Sequence, residues 1–312
     1  MKGLIVPIQK HNITRRDILA GMAGAAVASV ASIGGSTPLT RTAGAKEPDC
    51  VRKGRINQSL TYWCYQKYWN VEQICQIAKE LGCKVLGLIE PEDWPILKKY
   101  GLVCGLTSSH MFVQGMNNPA YQPMCIEKIR KSIDNNTEAG FPNVITFTGY
   151  AKTEAGTISP EDGIKNCVNG YKKIIGYAEK KGVNLCLEIL NSRDPVEMKG
   201  HPGYQGDHTE YCIEIIKKVG SPRLKLLFDI YHVQIMDGDI IRRIRQHKDY
   251  IGHYHTAGVP GRNEIDDTQE INYRAVMETI AETGYKGYVS HEYIPTRAPL
   301  QGLRDAITVC DV

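Results

Sequence analysis

Four stretches in the second half of this 312-residue chain carry residues able to hold a cation or move a proton. "LCLEILNSR" carries Glu188, "LLFDIYH" carries Asp229, "GHYHTAG" carries His255 and "YVSHEYIP" carries Glu292. Each alone has an ordinary explanation. A terminal Asp or Glu commonly caps a helix or faces solvent, and a His in an apolar run is commonly a hydrogen-bonded core residue. Brought to one place, the four say more. Three converging carboxylates repel one another and take up protons unless a cation neutralises them. Three carboxylates and one imidazole suit Mn2+, Mg2+, Co2+ or Fe2+ better than a structural zinc. The expectation is a divalent metal site at these four residues.

Such residues act together only if successive elements deliver them to one rim. Strands are predicted over 59–64, 84–89, 102–107, 144–148, 183–189, 224–229, 251–255 and 287–292. Helical patterns fill the gaps at 71–81, 92–100, 123–139, 160–181, 209–219, 240–247 and 273–283. Gly182, Gly220 and Gly284 stop helices where a left-handed cap is needed. Several strands are continuous apolar runs, as parallel strands buried on both faces should be. Eight strands alternating with helices predict a (β/α)8 TIM barrel, whose chemistry sits where strands end and loops begin. An open doubly wound sheet is the rival, but no G-x-G-x-x-G or G-x-x-x-x-G-K-[ST] follows any strand.

The first 45 residues stand apart. Arg15 and Arg16 precede a mild Ala- and Gly-rich run, and "AGA" at 43–45 offers a small-x-small cleavage site before Lys46. This predicts a twin-arginine signal over 1–45, a catalytic barrel over 46–312, and an exported, periplasmic protein with no stable membrane insertion after processing. Residues 1–45 hold five basic groups against Asp17, a net +4 that equals the charge of the whole chain. The remainder is therefore near neutral, which argues against a nucleic-acid partner. The expected partner is a small-molecule substrate, and a homo-oligomer is compatible with the sequence. The ten cysteines include no C-x-x-C pair, so neither a zinc ribbon nor a thioredoxin-like motif is expected. Buried free thiols and disulfides both remain open.

"EILNSRD", "KLLFDIYHVQIMDGD", "GHYHTAGVPGRNEID" followed by "EINYR", and "GYVSHEY" resemble the hydroxypyruvate isomerase family of the xylose-isomerase-like barrels. "PEDWPILKKYGLVC" fits the first half of that superfamily, and the resemblance runs from about Gln58 to Glu292. It implies metal ligation by Glu188, Asp229, His255 and Glu292, with Glu188 and Glu292 also moving protons on opposite sides of the substrate. It implies substrate contacts from His232 and Arg262, with Glu264 in the same loop. One departure is His255, because hydroxypyruvate isomerases tend to have Gln there and the related ketose 3-epimerases have His. The export signal is a second departure.

The implied reaction converts hydroxypyruvate to tartronate semialdehyde through an ene-diolate. The alternative is a ketose or 3-keto-sugar epimerase or lyase with the same metal site. Both need one group to take a proton from carbon, another to return it, and a cation to hold the oxygens. A forked guanidinium at Arg262 could hold a substrate carboxylate or hydroxyl. His110 in "TSSHMF" could line the pocket, and Glu90 before Pro91 could hold a substrate hydroxyl or cap the next helix. Trp63 and Trp94 are expected in the core or the pocket wall, and His291 is expected to point away from Glu292's face. A barrel-type endonuclease would need more His ligands and a basic face, and a non-enzymatic sugar-binding barrel would bind without turnover.

Overall fold

The chain alternates strand and helix because its apolar residues do. The structure, a computed structural model, describes residues 50–154 and 156–312. The twin-arginine stretch, the cleavage site and Lys46 lie outside the described residues. Eight strands form the sheet: β1 (Asn57–Thr61), β2 (Val85–Gly87), β3 (Val103–Leu106), β4 (Asn143–Thr146), β5 (Asn184–Glu188), β6 (Leu224–Asp229), β7 (Ile251–Thr256) and β8 (Tyr288–His291). The order is β3-β2-β1-β8-β7-β6-β5-β4, with every ladder parallel. A small antiparallel ribbon pairs Lys152–Thr153 with Gly156–Thr157.

The two end strands, β3 and β4, meet through one residue. Thr107 donates its N–H to Asn143 O at 3.0 Å and accepts from Ile145 N at 2.9 Å. Side chains reinforce this seam, since Asn143 Nδ2 donates to Gly105 O and Thr107 Oγ1 bonds Asn136 Oδ1, both at 2.8 Å. The sheet thereby closes into the expected (β/α)8 barrel.

Among the described residues ten α-helices surround it: α1 (Val71–Glu80), α2 (Trp94–Lys99), α3 (Gln122–Ala139), α4 (Pro160–Lys172), α5 (Ile175–Lys181), α6 (Thr209–Val219), α7 (Ile230–Met236), α8 (Ile240–His247), α9 (Tyr273–Glu282) and α10 (Pro299–Cys310). Their apolar stripes pack on the outer faces of the strands in one continuous core. The helix predicted over 160–181 is two helices. Lys173 N and Ile174 N turn to the carbonyls of Gly170 and Tyr171, three residues back, so the axis tightens and the faces of α4 and α5 rotate apart. The final helix α10 is an addition to the predicted set, and buries Leu303, Ala306, Ile307 and Cys310 at helical spacing. Its Gly302 has a packing reason, because a Cβ there would sit 2.9 Å from the Tyr293 hydroxyl. Asp311, just beyond α10, accepts the N–H groups of Arg52, Lys53 and Gly54 and ties the segment after α10 to the segment before β1. All ten cysteines are free thiols, nine of them buried. No helix among the described residues is long and apolar enough to cross a membrane.

Candidate active site

Strand alternation builds the site. Residues 186 and 188 on β5, 227 and 229 on β6, 253 and 255 on β7, and 290 and 292 at β8 share inward parity. The lower members fill the barrel: Cys186 and Leu227 pack in an interior cluster, and His253 Nε2 bonds Ser290 Oγ at 3.1 Å. The upper members are Glu188, Asp229, His255 and Glu292. Asp229 and His255 are partners in the ladder register, so they stand at one level. One donor atom from each of the four lies within 4.8 Å of the others, and all four residues are buried. His291 has the opposite parity and is bonded to Thr256 and Gln58, as expected.

The contacts inside the cluster are close but poorly directed. His255 Nδ1 lies 2.8 Å from Glu292 Oε2, 3.0 Å from Glu188 Oε1 and 3.8 Å from Asp229 Oδ2. Yet neither ring nitrogen of His255, nor Glu188 Oε1, has a hydrogen-bond partner of good geometry. Those proximities are charge contacts rather than hydrogen bonds. A ring lone pair and three carboxylate oxygens aimed at one point form a donor set that a hard or borderline divalent cation fits.

Neighbouring side chains hold the acids in different states. Glu292 accepts Trp63 Nε1 at 2.7 Å on Oε1 and Arg262 Nη2 on Oε2. Burial opposes its ionisation, but His255 and Arg262 outweigh that and hold it down to about 2. Glu188 lacks such donors, and burial above all pushes it up to about 7. Burial likewise raises Asp229 to about 6, against the pull of Arg262 and His255. Burial works against a charged His255, yet Glu292 and Glu188 carry it up to about 10. Asp229 also accepts His232 N on Oδ1 and so caps α7. That is why the apolar run of β6 ends in a carboxylate: one oxygen starts a helix and the other joins the cluster.

His232 is held by Asn191, whose backbone N and Nδ2 lie 3.0 and 2.7 Å from Nδ1. The proton therefore sits on Nε2, which is 3.7 Å from Asp229 Oδ2 and has no hydrogen-bond partner among the described residues. Burial keeps this ring neutral. Arg262 adopts φ +57° and lies buried between the Trp63 and Tyr231 rings, 5.2 and 5.7 Å from their centroids. Its Nη1 donates to Met198 O, while Nη2 binds Glu292 and stands 3.6 Å from Asp229 Oδ2.

A cavity of about 160 Å3 opens directly over Glu188, Glu292 and Arg262. His110 lines it, but both its ring nitrogens are spent, Nε2 on Thr146 Oγ1 and Nδ1 on the carbonyls of Met111 and Gln114. Two residues expected at the substrate lie elsewhere. Glu90 is exposed in an adjoining cleft, where it accepts Ser108 Oγ and caps no helix through its side chain. Glu264 accepts Thr296 N, Thr296 Oγ1 and Arg297 N, so it braces the segment after β8 rather than facing the cavity. The left-handed turn at Arg262 sends the guanidinium inward and Glu264 the other way. Sequence reasoning missed His201, Phe112 and Met198, which line the cavity from two loops. A histidine between two glycine-containing turns, "KGHPGY", was the only signal for the first. Trp63 was expected as core or wall, and it is a wall residue that also holds Glu292.

The sequence model for the xylose isomerase-like TIM barrel matches residues 94–311. The chain belongs to the xylose isomerase-like TIM barrel family. Within that family it is 39% identical over 186 residues to a human protein provisionally named hydroxypyruvate isomerase, covering 59% of this chain and 65% of that one. It is 33% identical over 153 residues to the hydroxypyruvate isomerase of Escherichia coli, covering 49% of this chain and 56% of the relative. A 2-oxo-tetronate isomerase of Cupriavidus necator is also 33% identical over 153 residues, covering 48% and 56%. The chain thus spans less than two thirds of the length of these relatives. Among solved structures, a family 2 AP endonuclease from Brucella melitensis superposes with TM-score 0.70 at 20% identity, covering 80% and 97% of the two chains. A 3-keto-D-glucoside 4-epimerase from Escherichia coli gives 0.66 at 16%, covering 81% and 97%. These two establish likeness of fold.

Proposed function

We propose that this xylose isomerase-like barrel is a metal-dependent isomerase of a small α-hydroxy-carbonyl compound, working through an ene-diolate. The observation that carries the reading is the inward convergence of Glu188, Asp229, His255 and Glu292 beneath a small cavity, with Glu188 Oε1 and both His255 nitrogens lacking hydrogen bonds. Glu188, Asp229, His255 and Glu292 would hold the ion, and Mn2+, Mg2+ or Co2+ suits them. When bound, the ion supplies Lewis-acid polarisation of the substrate oxygens. The protein supplies the proton transfers. Glu188 is poised near neutrality by burial, and its free Oε1 takes the proton from the carbinol carbon. Glu292, oriented by Trp63 and Arg262, serves the other side of the substrate. His232 Nε2–H is a neutral donor for a substrate oxygen.

Hydroxypyruvate, the compound in the relatives' names, is the first to assay. Ketose or 3-keto-sugar epimerisation or cleavage is the second reading, favoured by His255 in place of the Gln of the resembling isomerases. The decisive experiment follows solvent deuterium into the substrate carbon by NMR, with purified protein and saturating Mn2+. Exchange that depends on Mn2+ supports the reading. Tight binding of these compounds with no exchange at any pH would leave a binding protein instead.

A further inference from the structure

The cavity over the acid cluster is walled by hydrocarbon. Leu88, Phe112, Ile145, Phe147, Leu190 and Met198 face it, opposite Glu188 and Glu292. The apolar character continues outward. Among the described residues five large apolar side chains are exposed, and three of them, Met111, Val113 and Val196, lie on the two loops that supply Phe112 and Met198. Two polar groups of the wall are already committed. Ser109 Oγ donates to Ile145 O, and His110 is bonded at both nitrogens. A polyol would leave hydroxyls unpaired here, each at a cost of about 1–3 kcal/mol.

Charge narrows the choice further. Among the described residues Arg262 is the only Lys or Arg lining the cavity; its two Nη atoms already serve Glu292, Asp229 and Met198 O, and Nε is its one unpaired donor. His110 and His201 offer no second cation, because burial pushes each down to about 4. A substrate carboxylate would add a negative charge beside three buried acids, where only the bound cation, Arg262 Nε and the neutral His232 Nε2–H are left to receive it and the hydrocarbon wall offers nothing.

Resting on the isomerase reading above, we infer that the cavity selects uncharged hydroxymethyl ketones bearing an aryl or alkyl group over those bearing a carboxylate, such as hydroxypyruvate. In such a ketone, R–CO–CH2OH, one C–H bond of the CH2OH carbon breaks and one C–H bond forms at the former carbonyl carbon. The hydroxyl proton passes to the carbonyl oxygen, giving R–CHOH–CHO. The reaction is redox-neutral overall and needs no further reactant. The reacting end sits over Glu188 and Glu292, and the R group packs against Phe112, Phe147 and Met198.

The test compares 2-hydroxyacetophenone, dihydroxyacetone and hydroxypyruvate with the Mn2+-loaded full chain, reading enzyme-dependent deuterium uptake by NMR. The expected kcat/KM for 2-hydroxyacetophenone exceeds that for hydroxypyruvate at least tenfold, with dihydroxyacetone between them. Met198→Lys places a free ammonium at the cavity wall and should raise kcat/KM for hydroxypyruvate at least fivefold. If hydroxypyruvate equals or exceeds the aryl ketone in the native chain, the inference is overturned while the isomerase reading stands. If none of the three exchanges, both fall. A folded Met198→Lys chain with unchanged hydroxypyruvate exchange overturns the charge argument.

Discussion

Binding of a divalent cation to the acid cluster should expel protons in a countable number. Without a cation, Glu292 and Glu188 outweigh burial and hold His255 up to about 10, while burial lifts Glu188 to about 7. At pH 7.5 His255 then carries about one proton and Glu188 about a quarter of one, and a ligated ion must displace both. The expected release is about 1.2 protons per Mn2+. Calorimetry at pH 7.5 in buffers of different ionisation enthalpy reads this number as a slope. Affinity should tighten by about tenfold per pH unit from pH 7 to 8.5. His255→Gln removes the ring that holds Glu188 and Asp229 down, so the release left comes from the carboxylates and should fade by pH 9, where the native chain still gives up about one proton. The folding sign follows the same groups. Raised His255 binds its proton more tightly in the folded chain, so it makes metal-free stability decline as pH rises from about 6.5 toward 10, whereas His110, His201 and His291, which burial pushes down to about 4, add stability as pH rises from about 4 to 6.5. The stabilisation given by Mn2+ grows over the window in which His255 loses its proton. A native chain that binds Mn2+ with no proton release, or His255→Gln with the native count at pH 9, would refute this account of the cluster.

Glu188→Gln and Glu292→Gln, assayed at saturating Mn2+ with occupancy measured, should lose deuterium exchange by roughly 10²–10⁴ while still binding substrate; exchange at the native rate would leave each as a ligand only. Trp63→Phe removes a 2.7 Å hydrogen bond to a charged oxygen, worth about 1.5–3 kcal/mol, so kcat/KM should fall at least tenfold and the melting temperature by several degrees, both measured on the same preparation. Arg262→Ala leaves Glu292 and Asp229 without their buried counter-charge and should lower metal-free stability by about 3–5 kcal/mol, with Mn2+ restoring more than it adds to the native chain; urea unfolding measures both. For the leader, we propose export through paired Arg15–Arg16 with Lys46 near the mature N-terminus. N-terminal sequencing of periplasmic protein checks it, and a chain still starting at Met1 with both arginines dispensable would refute it.

The barrel was legible because parallel strands buried on both faces write themselves as apolar runs, and glycines close the helices between them. The acid cluster was legible for the same reason. A carboxylate at the end of such a run, as at Glu188 or Asp229, breaks a pattern that every earlier residue obeys. Residues placed by loops left no comparable mark. Met198 enters the site through its backbone carbonyl, and His201 is fixed by a bond from its N–H to Asn191 O, neither of which a sequence period encodes. Trp63 and Glu292 are 229 residues apart, so their bond exists only once β1 and β8 pair. Glu264 was misplaced because proximity to Arg262 in sequence suggested proximity in function. The left-handed backbone at Arg262 separates them.

The seam at Thr107 gives the cylinder the mechanics of a split ring with a clasp. Seven of its joints are full ladders, whereas the eighth is one bridge with side-chain staples from Asn136 and Asn143. Elastic compliance concentrates at such a joint, so the amides of Thr107 and Ile145 should exchange with solvent ahead of those in β6 and β7. Ser108 and Ser109 follow the clasp directly and form the partition between the two neighbouring hollows. Loosening the clasp therefore moves that partition, trading room between the two compartments, while β6, β7 and β8 on the far arc stay held by full ladders on both sides.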